Sequence, residues 1–233
     1  MNAKKQRPDH LLLPALVSLA ATLALYAGVL QLPFYSDDLL QIPWVERTPL
    51  AQLWTTVGPY RDYRPLHFSL WRLVYLILGD LQPAPLHALN LIGHAVCGAL
   101  TGLLAARWAR RPRLVAPLAA ALFVAFPFAF DAIPWAIGLS YPLAVSLALG
   151  ALLTYLHARS KDRWPLHLAA VTMTLLAGFA HEGAAVVGAI ILWAELTVAR
   201  EGRRLSPWPL AHLGASALPL VTAALMLGLR RDP

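Results

Sequence analysis

Two adjacent carboxylates, Asp37 and Asp38, follow the first long apolar run of this 233-residue chain. The run covers residues 11–31, which is the length that a helix needs to cross a bilayer. The pair therefore lies where the chain leaves a membrane. A carboxylate in that position can take a proton from a hydroxyl group or bind a divalent metal ion. A solvated turn in a loop is the alternative interpretation.

A second group of charged and aromatic residues lies further along the same loop, at residues 60–65 (YRDYRP). Arg61 and Arg64 carry planar guanidinium groups, which bind phosphate oxygens through two parallel hydrogen bonds. Tyr63 adds an aromatic face between them. The loop thus combines carboxylates with cations suited to a phosphate, including the phosphate of a lipid headgroup.

Composition indicates an integral membrane protein, because 58% of the residues are hydrophobic, 13% are charged and the mean hydropathy is +0.58. The formal net charge of +7 does not indicate a nucleic-acid partner, since 13 of the 19 Lys and Arg residues fall in four short clusters between apolar runs. Such clusters mark cytoplasmic loops. The clusters are Lys4, Lys5, Arg7; Arg107, Arg110, Arg111, Arg113; Arg159, Lys161, Arg163; and Arg200, Arg203, Arg204.

The apolar runs predict an all-α fold, a polytopic transmembrane helix bundle of about seven spans in a single domain, residues 1–233. With a cytoplasmic N-terminus, all four basic clusters lie inside, and the first outer loop, about residues 32–85, is the longest. Seven of the twelve acids then lie outside. The predicted spans are residues 11–31, 86–106, 114–130, 139–157, 165–180, 183–199 and 208–229. The outer acids are Asp37, Asp38, Glu46, Asp62, Asp80, Asp131 and Glu182.

One apolar segment, residues 66–78, is too short to cross the bilayer, since thirteen helical residues rise only about 20 Å. A span here would also move the second and third basic clusters outside. We therefore predict a short helix that lies in the interface or packs across the bundle.

Polar residues outside the first loop supply further candidates. His87 and His94 lie two helical turns apart on one face with Asn90 between them, which favours interhelical hydrogen bonds over a metal site. Asp131 and Glu182 lie at outer span ends, where helix capping is the alternative to a role in a site. The pair His181-Glu182 is expected to meet the Asp37-Asp38 region on the outer face.

The order of these motifs resembles the N-terminal half of the polytopic GT-C glycosyltransferases, in particular the protein O-mannosyltransferase type and its relatives with attached tetratricopeptide repeats. The resemblance is carried by Asp37-Asp38, residues 63–66 (YRPL), a short helix, and residues 85–94 (PLHALNLIGH). Residues 131–138 (DAIPWAIG) resemble the second outer loop of the family. Leu139 stands where relatives often have arginine, and His181-Glu182 where they often have Lys-Glu.

The resemblance implies an inverting hexosyltransferase of the bacterial inner membrane. It would move a sugar from a polyprenyl-phosphate donor to a hydroxyl of a protein or glycan acceptor on the extracytoplasmic face. Asp37 would be the catalytic base and Asp38 its partner or a ligand of a divalent metal, although the two roles can be exchanged. The implied substrate-binding residues are Arg61, Tyr63, Arg64, His87, Asn90, His94, Asp131, His181 and Glu182.

Two other interpretations remain open. A transporter or lipid-binding subunit without chemistry would use intramembrane polar residues and proline-broken helices. An inactive fragment is the third interpretation, because relatives of this kind have more spans and a C-terminal extracytoplasmic portion. We therefore expect this chain to be the N-terminal part of a larger module or to need a partner.

Overall fold

The chain is seen in a computed structural model that describes residues 9–127, 129, 132–161, 163–200 and 204–229. These residues form α-helices and short 3-10 helices joined by loops, with no strand among them. The predicted all-α fold is confirmed. The helices are α1 (Asp9–Tyr26), α2 (Asp38–Arg47), α3 (Pro65–Leu78), α4 (Pro83–Ala106), α5 (Pro112–Val124), α6 (Ser140–Lys161), α7 (Trp164–Ala180), α8 (Val187–Arg200) and α9 (Trp208–Leu229).

Four helical stretches of the described chain are long and apolar enough to cross a bilayer. Each has at least 20 residues, and 20 residues at 1.5 Å per residue span about 30 Å of hydrocarbon. This result agrees with an integral membrane protein. The stretches are Leu12–Gln31, Pro83–Ala106, Ile137–Lys161 and Trp208–Gly228.

The helices follow the predicted apolar runs, with differences at several of their ends. The run predicted over residues 114–130 is helical only to Val124. Pro127 explains this, because a proline disfavours the helical conformation of the residue before it. The run predicted to begin at residue 183 starts as the 3-10 helix Glu182–Val186 and becomes α8 only at Val187.

The chain divides into two compact units, of which unit 1 comprises residues 1–34 and 82–142. In unit 1, α1, α4 and α5 pack against one another. A Cβ built on Gly98 or Gly102 of α4 would overlap neighbouring atoms of α1 and α5. Small residues at such positions let apolar helices approach closely. Ser18 of α1 adds a buried hydrogen bond of 2.7 Å to the Ala95 carbonyl of α4.

Unit 2 comprises residues 35–81 and 143–233. Its first segment contains α2 and α3, and α3 packs against α7. Phe68 and Trp71 in the N-terminal half of α3 are buried, whereas Ile77 near its C-terminal end is 79% exposed. The short helix predicted over residues 66–78 is therefore present. It begins with Pro65 at its first position and ends before Gly79, whose φ of +87° is one that glycine adopts readily.

In the rest of unit 2, α9 packs against both α7 and α8, and α8 carries a buried acid that the sequence did not indicate. Glu195 of α8 is 1% exposed. It accepts hydrogen bonds from the Tyr155 hydroxyl, from Arg159 Nε and Nη2, and from the backbone N–H of Ser206, at 2.7 to 2.8 Å. These contacts join α6, α8 and the segment that leads into α9.

Candidate functional site

The two adjacent aspartates differ in their surroundings although they lie at the same helix start. Asp37 directly precedes α2, and Asp38 is the first residue of that helix. Asp38 is fully buried, whereas Asp37 is only partly buried and accepts a hydrogen bond of 3.3 Å from the Ser36 hydroxyl. The Asp37 side chain makes no capping hydrogen bond to α2. Asp37 is therefore the carboxylate of the pair that a substrate can reach.

Ser36 has a positive φ of +53°, which is uncommon for a residue with a side chain. The only other non-glycine residue of the described chain with a positive φ is Arg61, at +62°. Each of these two residues directly precedes an acid, Asp37 or Asp62. Uncommon backbone conformations of this kind often occur at functional sites.

Arg64, which immediately precedes α3, forms a two-pronged ion pair with Glu182. Its Nε and Nη2 donate to the two carboxylate oxygens at 3.0 and 2.8 Å. The Arg64 side chain is 15% exposed and the Glu182 side chain is 52% exposed. Burial alone would raise the pKa of Glu182, but the hydrogen bonds and charge of Arg64 lower that pKa to about 2. The pair thus fixes the position of the guanidinium group of Arg64, whose side chain is mostly buried.

His181 lies beside this ion pair in an extended backbone conformation. Its Nδ1 accepts a hydrogen bond of 2.9 Å from the backbone N–H of Gly183, so the ring proton is on Nε2, which is 3.7 Å from Glu182 Oε1. Burial and the neighbouring Arg64 cation lower the His181 pKa, against the effect of Glu182. His181 is therefore neutral at neutral pH.

Two residues that the sequence analysis did not assign to the site also belong to this group. Burial raises the pKa of Asp62, and the negative charges of Glu182 and Asp37 raise this pKa further. The positive charge of Arg64 lowers it. His67 is fully buried, and burial followed by the charges of Arg64 and His181 lowers its pKa to about 3. His67 lies in the first turn of α3, three residues after Arg64, which directly precedes that helix. This short spacing is the sequence signal for His67.

Gln41 of α2 completes the group, because its Nε2 donates to Asp62 Oδ2 at 3.4 Å. We call these residues, all of unit 2, the Arg64 cluster. Its members are Asp37, Gln41, Asp62, Arg64, His67, His181 and Glu182. The cluster combines an anion-binding cation with a partly exposed carboxylate, which is the chemistry needed to bind a phosphate and to take a proton nearby.

Arg61 and Tyr63 of the same loop have different surroundings. Arg61 is exposed. Tyr63 is buried, donates from its hydroxyl to the Trp54 carbonyl at 2.8 Å and packs against the ring of Phe179. Tyr63 therefore holds the loop against α7.

A tight turn positions Asp62 relative to Gly58. The backbone N–H of Gly58 donates to the Asp62 carbonyl at 2.8 Å, and that of Arg61 donates to the Gly58 carbonyl at 3.0 Å. A Cβ built on Gly58 would overlap Asp62 Oδ1 and lie 3.3 Å from the Phe68 ring.

Gly58→Ala is therefore expected to destabilise unit 2 by about 1–3 kcal/mol, the usual cost of forcing extra atoms into a packed site. Thermal unfolding of the detergent-solubilised protein measures the change. Gly214→Ala is the matched control, because a Cβ at Gly214 meets no atom of the described chain within 4 Å. Equal unfolding temperatures for the two variants would contradict the packing described for the turn.

The other predicted site residues belong to unit 1. Asn90 donates from Nδ2 to the carbonyls of Ala132, Ile133 and Trp135 at 2.8 to 3.2 Å. His94 Nε2 lies 3.4 Å from the Val124 carbonyl, and His87 is fully buried. His94 thus contacts α5, in line with the interhelical interpretation, whereas Asn90 holds the non-helical segment at residues 132–135 against α4. Asp131 lies outside the described residues.

Metal binding was considered for Asp37 and Asp38 and for the histidines of α4. The described part of the chain holds no group of three or more His, Cys, Asp or Glu residues arranged to bind a metal ion.

Comparison of the chain with protein-family models, with curated proteins and with solved structures gives no match. The class of protein is therefore described by its fold and its site alone. The described residues form an all-helical protein with four helical stretches of membrane-spanning length and a charged cluster at the start of α3.

Proposed function

We propose that this protein is a glycosyltransferase that moves a sugar from a polyprenyl-phosphate donor to an acceptor hydroxyl on the extracytoplasmic face of the bacterial inner membrane. The observation that supports this proposal best is the Arg64 cluster. In this cluster Arg64, from the loop after α1, contacts Glu182, which lies over 100 positions further along the chain. Both residues belong to motifs on which the GT-C resemblance depends. A guanidinium group and an accessible carboxylate are the two groups that such a reaction needs.

The basic clusters favour seven spans over four. If α5 did not cross the bilayer, Arg107 and Arg159 would lie on opposite sides of it, against the preference of such clusters for the cytoplasm. If α5, α7 and α8 cross as well, every basic cluster lies in the cytoplasm. α5 and α8 have 13 and 14 residues and are no longer than α3, so charge placement and not helix length separates them from α3. Glu182, at the opposite end of α7 from Arg163, then lies outside together with Arg64, its ion-pair partner.

An outer-face transferase needs a donor that reaches it through the lipid, because nucleotide sugars are cytoplasmic. The phosphate of a polyprenyl-phosphate sugar carries a negative charge at the membrane surface. Arg64 is placed to bind it through paired hydrogen bonds, in exchange with or beside Glu182. The fixed position of the guanidinium favours binding, since little side-chain freedom is lost.

In the proposed reaction Asp37 takes the proton of the acceptor hydroxyl, and the hydroxyl oxygen bonds to the anomeric carbon. The bond between that carbon and the phosphate oxygen breaks, and its electron pair leaves with the phosphate. Attack from the side opposite the phosphate inverts the anomeric centre. Arg64 stabilises the charge that develops on the leaving phosphate, and the buried Asp38 positions Asp37.

Asp37→Asn is expected to abolish sugar transfer in membranes supplied with polyprenyl-phosphate sugars, since an amide cannot accept the proton. A labelled sugar appearing on the acceptor measures transfer. Asp38→Asn is expected to reduce transfer less, because Asp38 acts through Asp37. Asp80→Asn, an exposed acid of the same loop, is the matched control with unchanged transfer.

Unchanged transfer in both Asp37→Asn and Asp38→Asn would contradict the assignment of the base. Donor binding by the parent without any transfer would favour the lipid-binding subunit instead.

A further inference from the structure

The contact between Gln41 and Asp62 contains two polar atoms that lack hydrogen bonds. Gln41 is 2% exposed, and its Nε2 donates to Asp62 Oδ2 at 3.4 Å. The remaining oxygens of the two side chains, Gln41 Oε1 and Asp62 Oδ1, are both buried and have no hydrogen-bond partner among the described residues.

When Asp62 is ionised, these two oxygens cannot form a hydrogen bond with each other, because a carboxylate oxygen and an amide oxygen are both acceptors. Buried acceptors without a donor are rare and costly in folded proteins. One added proton on Asp62 supplies the missing donor and satisfies both oxygens together. The amide and the carboxylic acid then form two antiparallel hydrogen bonds, each group donating once and accepting once.

We infer that Gln41 and Asp62 form a buried proton-binding site in which Asp62 takes up a proton at a higher pH than an exposed aspartate does and donates it to Gln41 Oε1. The ligand of this site is a proton. The inference does not depend on the proposed glycosyl transfer, and its test contains no sugar or lipid donor.

The charged groups around Asp62 act in both directions. The charge of Arg64, on the same loop, and a hydrogen bond from the Asp62 backbone favour the ionised form, whereas Glu182 beside α7 and Asp37 before α2 favour the protonated form. Burial is the largest effect and also favours the protonated form, so the pKa of Asp62 is raised. Gly58 leaves room for Oδ1, because a Cβ at that position would overlap it.

A proton on Asp62 has two consequences for the Arg64 cluster. The cluster carries one negative charge less, so it repels an approaching anion less strongly. Asp62 also cannot accept a second proton, which leaves Asp37 as the carboxylate able to act as a base.

Infrared difference spectroscopy of the full-length protein in lipid nanodiscs tests the site. As the pH is lowered from neutral, the parent is expected to gain a carboxylic-acid C=O band before exposed aspartates titrate. Asp62→Asn is expected to lose this early band, and the matched control Asp80→Asn to keep it. The inference is overturned if the parent gains no band before exposed aspartates titrate or if a folded Asp62→Asn variant retains the early band at full intensity.

Gln41→Met provides a second test if Asp62→Asn does not fold. Methionine is similar in length but offers no amide, so the band is expected to shift to the position of an acid with a weaker hydrogen bond. An unshifted band in Gln41→Met would overturn the pairing.

Discussion

Replacing Arg64 with lysine is expected to lower kcat/KM for sugar transfer by about 100- to 1,000-fold, the range typical for loss of a group that stabilises developing charge. Lysine keeps the positive charge but lacks the planar fork that binds two oxygens at once. It also cannot reproduce the two contacts of 3.0 and 2.8 Å to Glu182, so the cation loses its fixed position. Transfer rates at several donor concentrations measure the effect.

Arg47→Lys is the matched control for this experiment. Arg47 is an exposed arginine in the last turn of α2, outside the Arg64 cluster. We expect Arg47→Lys to transfer sugar at the parental rate. Equal kcat/KM values for Arg64→Lys and the parent would show that the guanidinium does not act on the phosphate.

Replacing Glu195 with alanine is expected to destabilise the protein by about 3–5 kcal/mol, the cost of removing one partner from a buried ion pair. Arg159 would lose the carboxylate that accepts from its Nε and Nη2, and the Tyr155 hydroxyl and the Ser206 N–H would lose their acceptor. For a chain of this size the unfolding temperature should fall by roughly 10 °C. Thermal unfolding in detergent measures the shift.

Thr197→Ala, on the same helix, is the matched control for Glu195→Ala. The Thr197 hydroxyl makes a local hydrogen bond to the Ala194 carbonyl, and its loss is expected to change stability by about 0.5–1 kcal/mol. If Glu195→Ala unfolds at the same temperature as Thr197→Ala, the contacts of Glu195 do not stabilise the junction of α6, α8 and α9.

The longer helices could be predicted from the sequence because long apolar runs indicate them directly, whereas the bounds of α2, a short helix with three charged residues, could not. Hydropathy alone did not predict where they end. The end of α5 at Val124 depends on Pro127, and the 3-10 helix Glu182–Val186 lies inside an apolar run where nothing local distinguishes it from α8. Backbone conformation at such points is decided by neighbouring contacts.

The site could be predicted only in outline. Charge placement put Arg64 and Glu182 on the same side of the bundle, but their pairing depends on how α3 packs against α7. Asp62 appeared as one outer acid among seven, and its contact with Gln41 requires the fold of the loop. Glu195 was missed because its partners lie on other segments of the chain.

The most direct test of the proposed function is sugar transfer by the purified full chain in liposomes that contain polyprenyl-phosphate sugars and an acceptor. We predict donor-dependent release of polyprenyl phosphate with labelled sugar on the acceptor, and loss of both in a folded Asp37→Asn variant. Identical donor levels in liposomes with and without the protein, for every hexosyl donor supplied, would contradict the proposed function.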